Sequence, residues 1–387
     1  MPLVVIIFLS LYALASIYLY RRVAAALPPS RALRWAVGFI IIFLFSGYLL
    51  AHLGKEYLSP GACNTLQKMG SWWIGFVFYA ALLLLLFDLL RLIVRIFHLP
   101  PAGFWRLSKK ARRAVLPVTG AAVIILLLAG HLNARTLRIT AIQVPLGPSC
   151  GPVKEVNAVF LADIHAGVMV GGDFLSGIVD EVNNLQPDLI LLGGDVVDTD
   201  VREVERLGCG EILSRLRAPL GVYAVTGNHE YLSGVEESTG YLSGLGIVFL
   251  RDRAVRIGDS FYLAGRDDPS HRRKTGPGRS LREILSGVDP RCPVILMDHR
   301  PARIKEAAAA GVDLLLCGHT HHGQLFPISL VIDALYPASR GYAREGKTRI
   351  YVTSGAGTWG PPVRIGNRPE IVHLKITFGD QYTDSTD

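Results

Sequence analysis

Leu189-Ile190-Leu191-Leu192-Gly193-Gly194-Asp195-Val196-Val197-Asp198 is a run of four apolar residues stopped by two glycines and a carboxylate. A short apolar run bounded by Gly and Asp reads as a buried strand ending in a tight turn. It delivers Asp195 to the strand's carboxyl end. The pattern recurs on both sides of this stretch. Val156–Ala162 runs into Asp163-Ile164-His165, and Val222–Val225 into Gly227-Asn228-His229-Glu230. Val294–Met297 runs into Asp298-His299, and Leu314–Leu316 into Gly318-His319-Thr320-His321. Ligands of open α/β sheets bind beyond the carboxyl ends of strands. One strand-end Asp is usually a turn former, but five apolar runs that each end on Asp, Asn or His make a constellation. Its mixture of carboxylate, amide oxygen and imidazole suits borderline divalent metals such as Mn, Fe, Zn or Co rather than an all-oxygen Ca or Mg cage.

Tyr262–Ala264, Ile350–Thr353 and Ile371–Ile376 read as further strands. Phe174–Leu185, Glu203–Leu216, Val235–Leu245, Leu281–Leu285 and Ala302–Ala310 have helical spacing or helix-forming composition. Residues 154–378 are therefore of the α/β class. Residues 133–153, with Pro145, Gly147, Pro148 and Gly151, are expected as a connector, and 379–387 as a polar, frayed tail.

The five segments, in this order, resemble the calcineurin-like metallophosphoesterase superfamily over roughly residues 154–378. The resemblance implies two mixed sheets packed together with helices outside, and hydrolysis of phosphate esters at a two-metal centre. Carried over residue by residue, it implies a first metal held by Asp163, His165, Asp195 and His321. A second would be held by Asp195, Asn228, His299 and His319, with Asp195 bridging. A hydroxide activated by the two metals would attack phosphorus in line. His229 matches the superfamily histidine beside the leaving group and Asp198 the carboxylate that orients it, a pair suited to general-acid work. His319–Gln324 and Thr353–Pro362 resemble a subgroup that includes membrane-attached bacterial phosphoesterases. That subgroup usually has Gly where this chain has His322, so His322 is read either as a substrate contact or as neutral variation. Trp359, in the Gly/Pro-rich stretch 355–362, is a candidate cleft wall, and Arg300 and Arg364 are candidate phosphate ligands.

The N-terminal part differs in composition. Residues 1–150 carry fifteen Lys+Arg against two acids, Glu56 and Asp88, a balance of +13; the remainder carries −5. The basic excess thus lies outside the α/β part, which has no Lys/Arg run suited to a nucleic-acid track, and no nucleic-acid partner is expected. Leu3–Tyr20, Trp35–Leu53, Trp72–Phe97 and Ala114–Leu132 approach or exceed the ~20 apolar residues that span a bilayer. Residues 1–132 therefore read as an all-α, four-helix transmembrane domain. No positive n-region precedes the first stretch, so a cleaved signal is not expected.

Arg21, Arg22, Arg31 and Arg34 separate the first two stretches, and Arg106, Lys109, Lys110, Arg112 and Arg113 the last two. The positive-inside rule puts both groups in the cytoplasm and the α/β domain outside it, as in a bacterial inner-membrane protein with an extracytoplasmic domain. Trp35, Trp72 and Trp105 are expected as interfacial aromatics. Asp88 is expected to pair with Arg91, one turn away. No C-x-x-C occurs, so no thiolate zinc site is indicated. Cys63 and Cys150 fall on the outer side near the membrane, where a disulfide between them is open. The expected function is a membrane-anchored, metal-dependent phosphoesterase acting on a phosphate mono- or diester, with the bilayer and a phosphorylated lipid or small phosphoester as partners. The alternatives are a cytoplasm-facing pyrophosphatase of a nucleotide-linked lipid and an inactive membrane sensor or scaffold. A transporter is disfavoured by the scarcity of polar residues in the spans.

Overall fold

The computed structural model describes residues 3–98, 109–198, 200–271, 276 and 278–379. It forms two compact units: Met1–Leu132 with Gly360–Val363, and Asn133–Trp359 with Arg364–Asp387.

The first unit is helical. Its helices are α1 (Leu3–Ala26), α2 (Arg31–Leu53), α3 (Pro60–Ile96) and α4 (Lys109–Ala134). All four are long and apolar enough to cross a membrane. Ser30 caps α2 by accepting from Leu33 N, and Ser59 caps α3 by accepting from Ala62 N with Pro60 at the first helical position, where proline's missing N–H costs nothing. The helix α3 thus begins twelve residues before the apolar stretch Trp72–Phe97. At 1.5 Å per residue its 37 residues reach about 55 Å, well past a ~30 Å hydrocarbon core. A Cβ on Gly70 of α3 would strike the backbone of Tyr48 in α2. Small residues that allow such close approach are what helix pairs use in lipid, where apolar burial drives nothing.

Asp88 does not pair with Arg91. It accepts from Arg22 Nη1 at 3.0 Å and from Tyr18 O–H at 2.8 Å, both on α1. Arg91 instead lies over the Phe87 ring, 5.7 Å from its centroid. The neighbouring helix reaches the carboxylate from the side, which a reading confined to one helix could not anticipate. Trp105 and Arg106, and the tail from Asp380, lie outside the described residues.

Among the described residues the second unit carries twelve strands in two six-stranded mixed sheets. The first has the order β1 (Arg138–Leu146), β12 (Glu370–Phe378), β2 (Glu155–Leu161), β3 (Leu189–Leu192), β4 (Val222–Ala224), β5 (Ile247–Phe249). The second has the order β10 (Gly341–Glu345), β11 (Thr348–Val352), β9 (Leu314–Cys317), β8 (Val294–Met297), β7 (Phe261–Gly265), β6 (Arg253–Ile257). The central pairs β2–β3–β4 and β7–β8–β9 are parallel. Phe160, Leu191, Phe261, Ile295, Leu316 and Leu374 pack together between the two sheets. Helices cover the outer faces, against Ile190 and Leu192 on one side and Leu296 and Leu315 on the other. The α/β expectation with two packed mixed sheets and outer helices holds.

Residues 138–146, expected within a connector, are the edge strand β1, paired in parallel with β12. The stretch 203–216 is two helices, Val201–Arg206 and Cys209–Leu213, parted at Gly208, whose φ of 68° no helix accepts. The disulfide joins Cys150 to Cys292, with Cα atoms 5.3 Å apart, while Cys63 is a buried thiol inside α3. Removing this bridge by Cys150→Ala with Cys292→Ala should cost the second unit about 2–4 kcal/mol in denaturant unfolding. Peptide mapping without reductant should recover the 150–292 pair, and a Cys63–Cys150 peptide would contradict the structure.

Candidate metal centre

Three central strands, β2, β3 and β9, hand over to their candidate ligands through a distorted turn. Asp163, His165, Asp195, His319 and His321 all have φ between 46° and 72°. Non-glycine residues pay for that left-handed region, and such residues collect at functional sites. The turns are also crowded. A Cβ on Gly318, which precedes His319, would lie 2.6 Å from Asp163 Oδ2. That glycine lets the His319 N–H reach Asp163 Oδ1 and Oδ2 at 3.0 and 2.9 Å.

The ligand atoms of Asp163, His165 and His321 lie within 4.8 Å of one another, and so do those of Asp195, His299 and His319. These two clusters contain most of both ligand sets expected from the sequence. His165, Asp195 and His229 make a third, overlapping cluster. Asn228 Oδ1 is buried without a hydrogen-bond partner, and so is His299 Nε2. An unpaired buried acceptor is expensive, and a divalent cation is what an amide oxygen and an imidazole lone pair would share. His165 Nε2 and His321 Nε2 face each other at 3.0 Å. Two imidazole nitrogens that close can share only one proton, whereas a cation takes both lone pairs. The residues present therefore fit divalent metal.

Supporting contacts aim the imidazoles. His299 Nδ1–H donates to the Gly193 carbonyl at 2.8 Å, which leaves Nε2 as the nitrogen a cation would take. His165 Nδ1–H donates to Asp198 Oδ1 at 3.2 Å. Partners of this kind fix the tautomer and orientation of metal-binding histidines. His229 Nδ1 lies 3.1 Å from the same Asp198 oxygen, so Asp198 serves both rings, one more than its expected role. Trp359 stands edge-on to His229, with ring centroids 6.2 Å apart, and its indole is partly exposed.

The charges divide the histidines into two kinds. Burial alone would depress His229 and His299, but Asp195 and its neighbouring carboxylates outweigh it and raise them to about 9 and about 10. Burial pushes His319 down to about 3, helped by His299 and Arg300. Burial with His165 and Arg364 holds His321 far below the ordinary value. His319 and His321 are thus neutral imidazoles, the form that binds metal. Burial raises Asp163, whereas His299 and His229 override burial and hold Asp195 well below the carboxylate range.

The remaining sequence candidates are placed differently. Arg364 is fully buried; it donates to the Gly355 and Gly357 carbonyls and to Asn367 Oδ1, and its Nη2 lies 3.3 Å from His321 Nδ1. It braces a ligand histidine, and the reading of it as a phosphate ligand is corrected by that burial. Arg300 is paired with Asp268 at 2.6 and 2.9 Å. His322 Nε2 lies 3.3 Å from Asp333. Glu230 was missed, although it directly follows His229. Its buried carboxylate accepts from the N–H groups of Asp195, Val196, Val197 and Gly227 at 2.7–3.2 Å.

Two packed mixed sheets with this ligand set at their strand ends define a metal-dependent phosphoesterase fold. Residues 156–323 match the family model Calcineurin-like phosphoesterase. A Danio rerio relative named transmembrane protein with metallophosphoesterase domain is 30% identical over 388 residues, covering 95% of this chain and 87% of the relative. The chain belongs to the calcineurin-like metallophosphoesterases and is a membrane protein. A Helicobacter pylori metallophosphoesterase is 36% identical over 225 residues, 58% of this chain and 60% of the relative, so the match spans about three fifths of that relative's length. The 5'-nucleotidase precursor of Thermus thermophilus is similar at 17% identity with a TM-score of 0.35, covering 57% of this chain and 55% of its own.

Asp195→Asn should strip metal from the whole centre, because Asp195 Oδ2 lies 3.3 Å from His299 Nε2 and Asp195 also belongs to the cluster with His165. His229→Ala should retain it. Elemental analysis of the two purified variants checks this; metal loss in His229→Ala would overturn the roles.

Proposed function

We propose that the chain is a membrane-anchored, metal-dependent phosphoesterase that hydrolyses a phosphate mono- or diester. The buried Asn228 Oδ1, which has no hydrogen-bond partner, is the observation that carries this reading. Asp163, His165, Asp195 and His321 would hold one divalent ion, and Asp195, Asn228, His299 and His319 a second, with Mn, Fe, Zn or Co suited to the donors. When bound, two such ions supply Lewis acidity toward phosphate oxygens and make a water nucleophilic at neutral pH.

The chain's own residues do the rest. Water gives up one proton to solvent and its oxygen adds to phosphorus as the bond to the leaving oxygen breaks, and the departing alkoxide takes a proton. His229 is the donor in this reading. Its Nδ1 side is held by Asp198, which leaves Nε2 to face the substrate, and the Asp198 carboxylate favours the protonated ring. Asp198 stabilises the imidazolium and fixes its direction. Trp359 forms a wall beside that ring. Arg300, tied to Asp268, is placed to meet phosphate only with its remaining donors.

The substrate is proposed to be a lipid or lipid-linked phosphoester at the outer face of the membrane. Two observations support the outer side. Cationic residues cluster at the end of α1 and the start of α2 (Arg21, Arg22, Arg31 and Arg34) and, in the sequence, from Arg106 to Arg113, and such groups stay in the cytoplasm. The second unit also holds a disulfide, which persists in oxidising compartments and is rare in the cytosol.

Exhaustive chelation should abolish hydrolysis of an aryl phosphodiester, and Mn should be among the ions that restore it; full activity in chelator would sink the reading. His229→Ala should lower the rate by ~10²–10⁴, with a smaller loss for substrates whose leaving groups are acidic. A reporter active only outside the cytoplasm, fused after Phe378, should be active. A signal from a cytoplasm-only reporter instead would reverse the topology and favour a cytoplasmic nucleotide-linked lipid.

A further inference from the structure

The helix Ile328–Leu335 turns an apolar face to solvent directly after the ligand segment that ends at Gln324. None of its eight residues is buried. Leu330, Val331 and Leu335 are 61%, 57% and 68% exposed. At 100° per residue Leu330, Val331, Ala334 and Leu335 share one side of the helix. Asp333 lies away from them and is committed elsewhere, accepting from Ser339 O–H and lying 3.3 Å from His322 Nε2. Thr320, between the two ligand histidines, donates to the Ser339 carbonyl at 2.7 Å. The helix is therefore fixed to the metal centre through its polar side, and its apolar side is left open among the described residues.

Three features say what covers that face. The same chain carries four helices fit to span a membrane, so lipid is always at hand. Only Arg135–Leu137 separate the end of α4 from the start of β1, and at ~3.5 Å per residue those residues reach about 10 Å. The composition is that of an interfacial helix, with an apolar stripe of Leu and Val beside a polar side. Arg340 follows the helix, and the part-exposed Trp359 stands by the site, a cation and an aromatic of the kind that seat at headgroup level.

We propose that Ile328–Leu335 is an interfacial helix whose Leu330, Val331 and Leu335 side chains seat in the lipid surface of the membrane that anchors the chain. Seated there, it holds His319 and His321 at headgroup level, so the centre meets phosphate carried on a membrane lipid. This last step rests on the phosphoesterase reading above; the docking itself does not.

The test uses the full chain reconstituted in phosphatidylethanolamine–phosphatidylglycerol vesicles, with p-benzoyl-phenylalanine replacing Leu330, Leu335 or, as a control, the exposed Lys305. On irradiation, Leu330 and Leu335 should give adducts with the mass of a phospholipid, roughly tenfold or more above the Lys305 control, a margin consistent with burying leucine-sized apolar surface. Adducts to the helical unit of the same chain, adducts to a second copy, or no lipid adduct at either position would each overturn the proposal. Turnover of a soluble aryl phosphodiester by the same samples reports separately on the phosphoesterase reading, because that reading gives Leu330 and Leu335 no part in the chemistry.

Discussion

The buried carboxylate of Glu230 joins the two loops on which the metal centre depends. It receives N–H groups from both the Asp195 turn and the Gly227 turn. Asp195 is thereby held where its own oxygen accepts from His229 N at 2.8 Å, and Asn228 is left facing inward with a free amide oxygen. Burial and the nearby Asp195 push the Glu230 carboxyl upward. Four donated N–H groups offset that cost, since charge-assisted bonds to carboxylate are roughly twice as strong as neutral ones. Loss of this one acceptor would release the turn that carries the central ligand.

Around that tie, the centre gathers three carboxylates beside several imidazoles. Asp163, Asp195 and Asp198 are all buried together, and the imidazoles beside them are split between protonated and neutral forms. His229 and His299 are protonated by the carboxylates, while His319 and His321 remain neutral. A divalent ion would take the place of the proton on His299, while His229, outside both ligand sets, keeps its own. The left-handed backbone at Asp163, His165, Asp195, His319 and His321 and the close fit at Gly318 are strain that the sheets on either side hold in place.

Much of this was legible in the sequence because it is local. A fully buried central strand such as Leu189–Leu192 announces itself as an apolar run, and its ligand follows within a few residues. The strands that escaped notice, β1, β5, β6 and β10, are the edges of the two sheets. Edge strands alternate between buried and exposed positions, as Arg138–Leu146 does, and tolerate proline, as β1 does at Pro145. Partnerships across the chain left no local trace. The Cys150–Cys292 bridge spans 142 residues, and Arg22 meets Asp88 from a different helix. Arg364 was a candidate phosphate ligand by residue type alone, and only its complete burial among carbonyls places it against His321. Glu230 was in plain view within Gly227-Asn228-His229-Glu230, but its role is to accept backbone N–H groups from another loop.

The proposed function requires two metal ions that would share one centre through Asp195. Titrating the metal-free chain with Mn(II) while recording its electron paramagnetic resonance spectrum tests this most directly. The account predicts that the second equivalent brings in a spin-coupled signal from a pair of ions ~3.5–4 Å apart, absent in Asp195→Asn. An uncoupled six-line spectrum that saturates at one equivalent would contradict it.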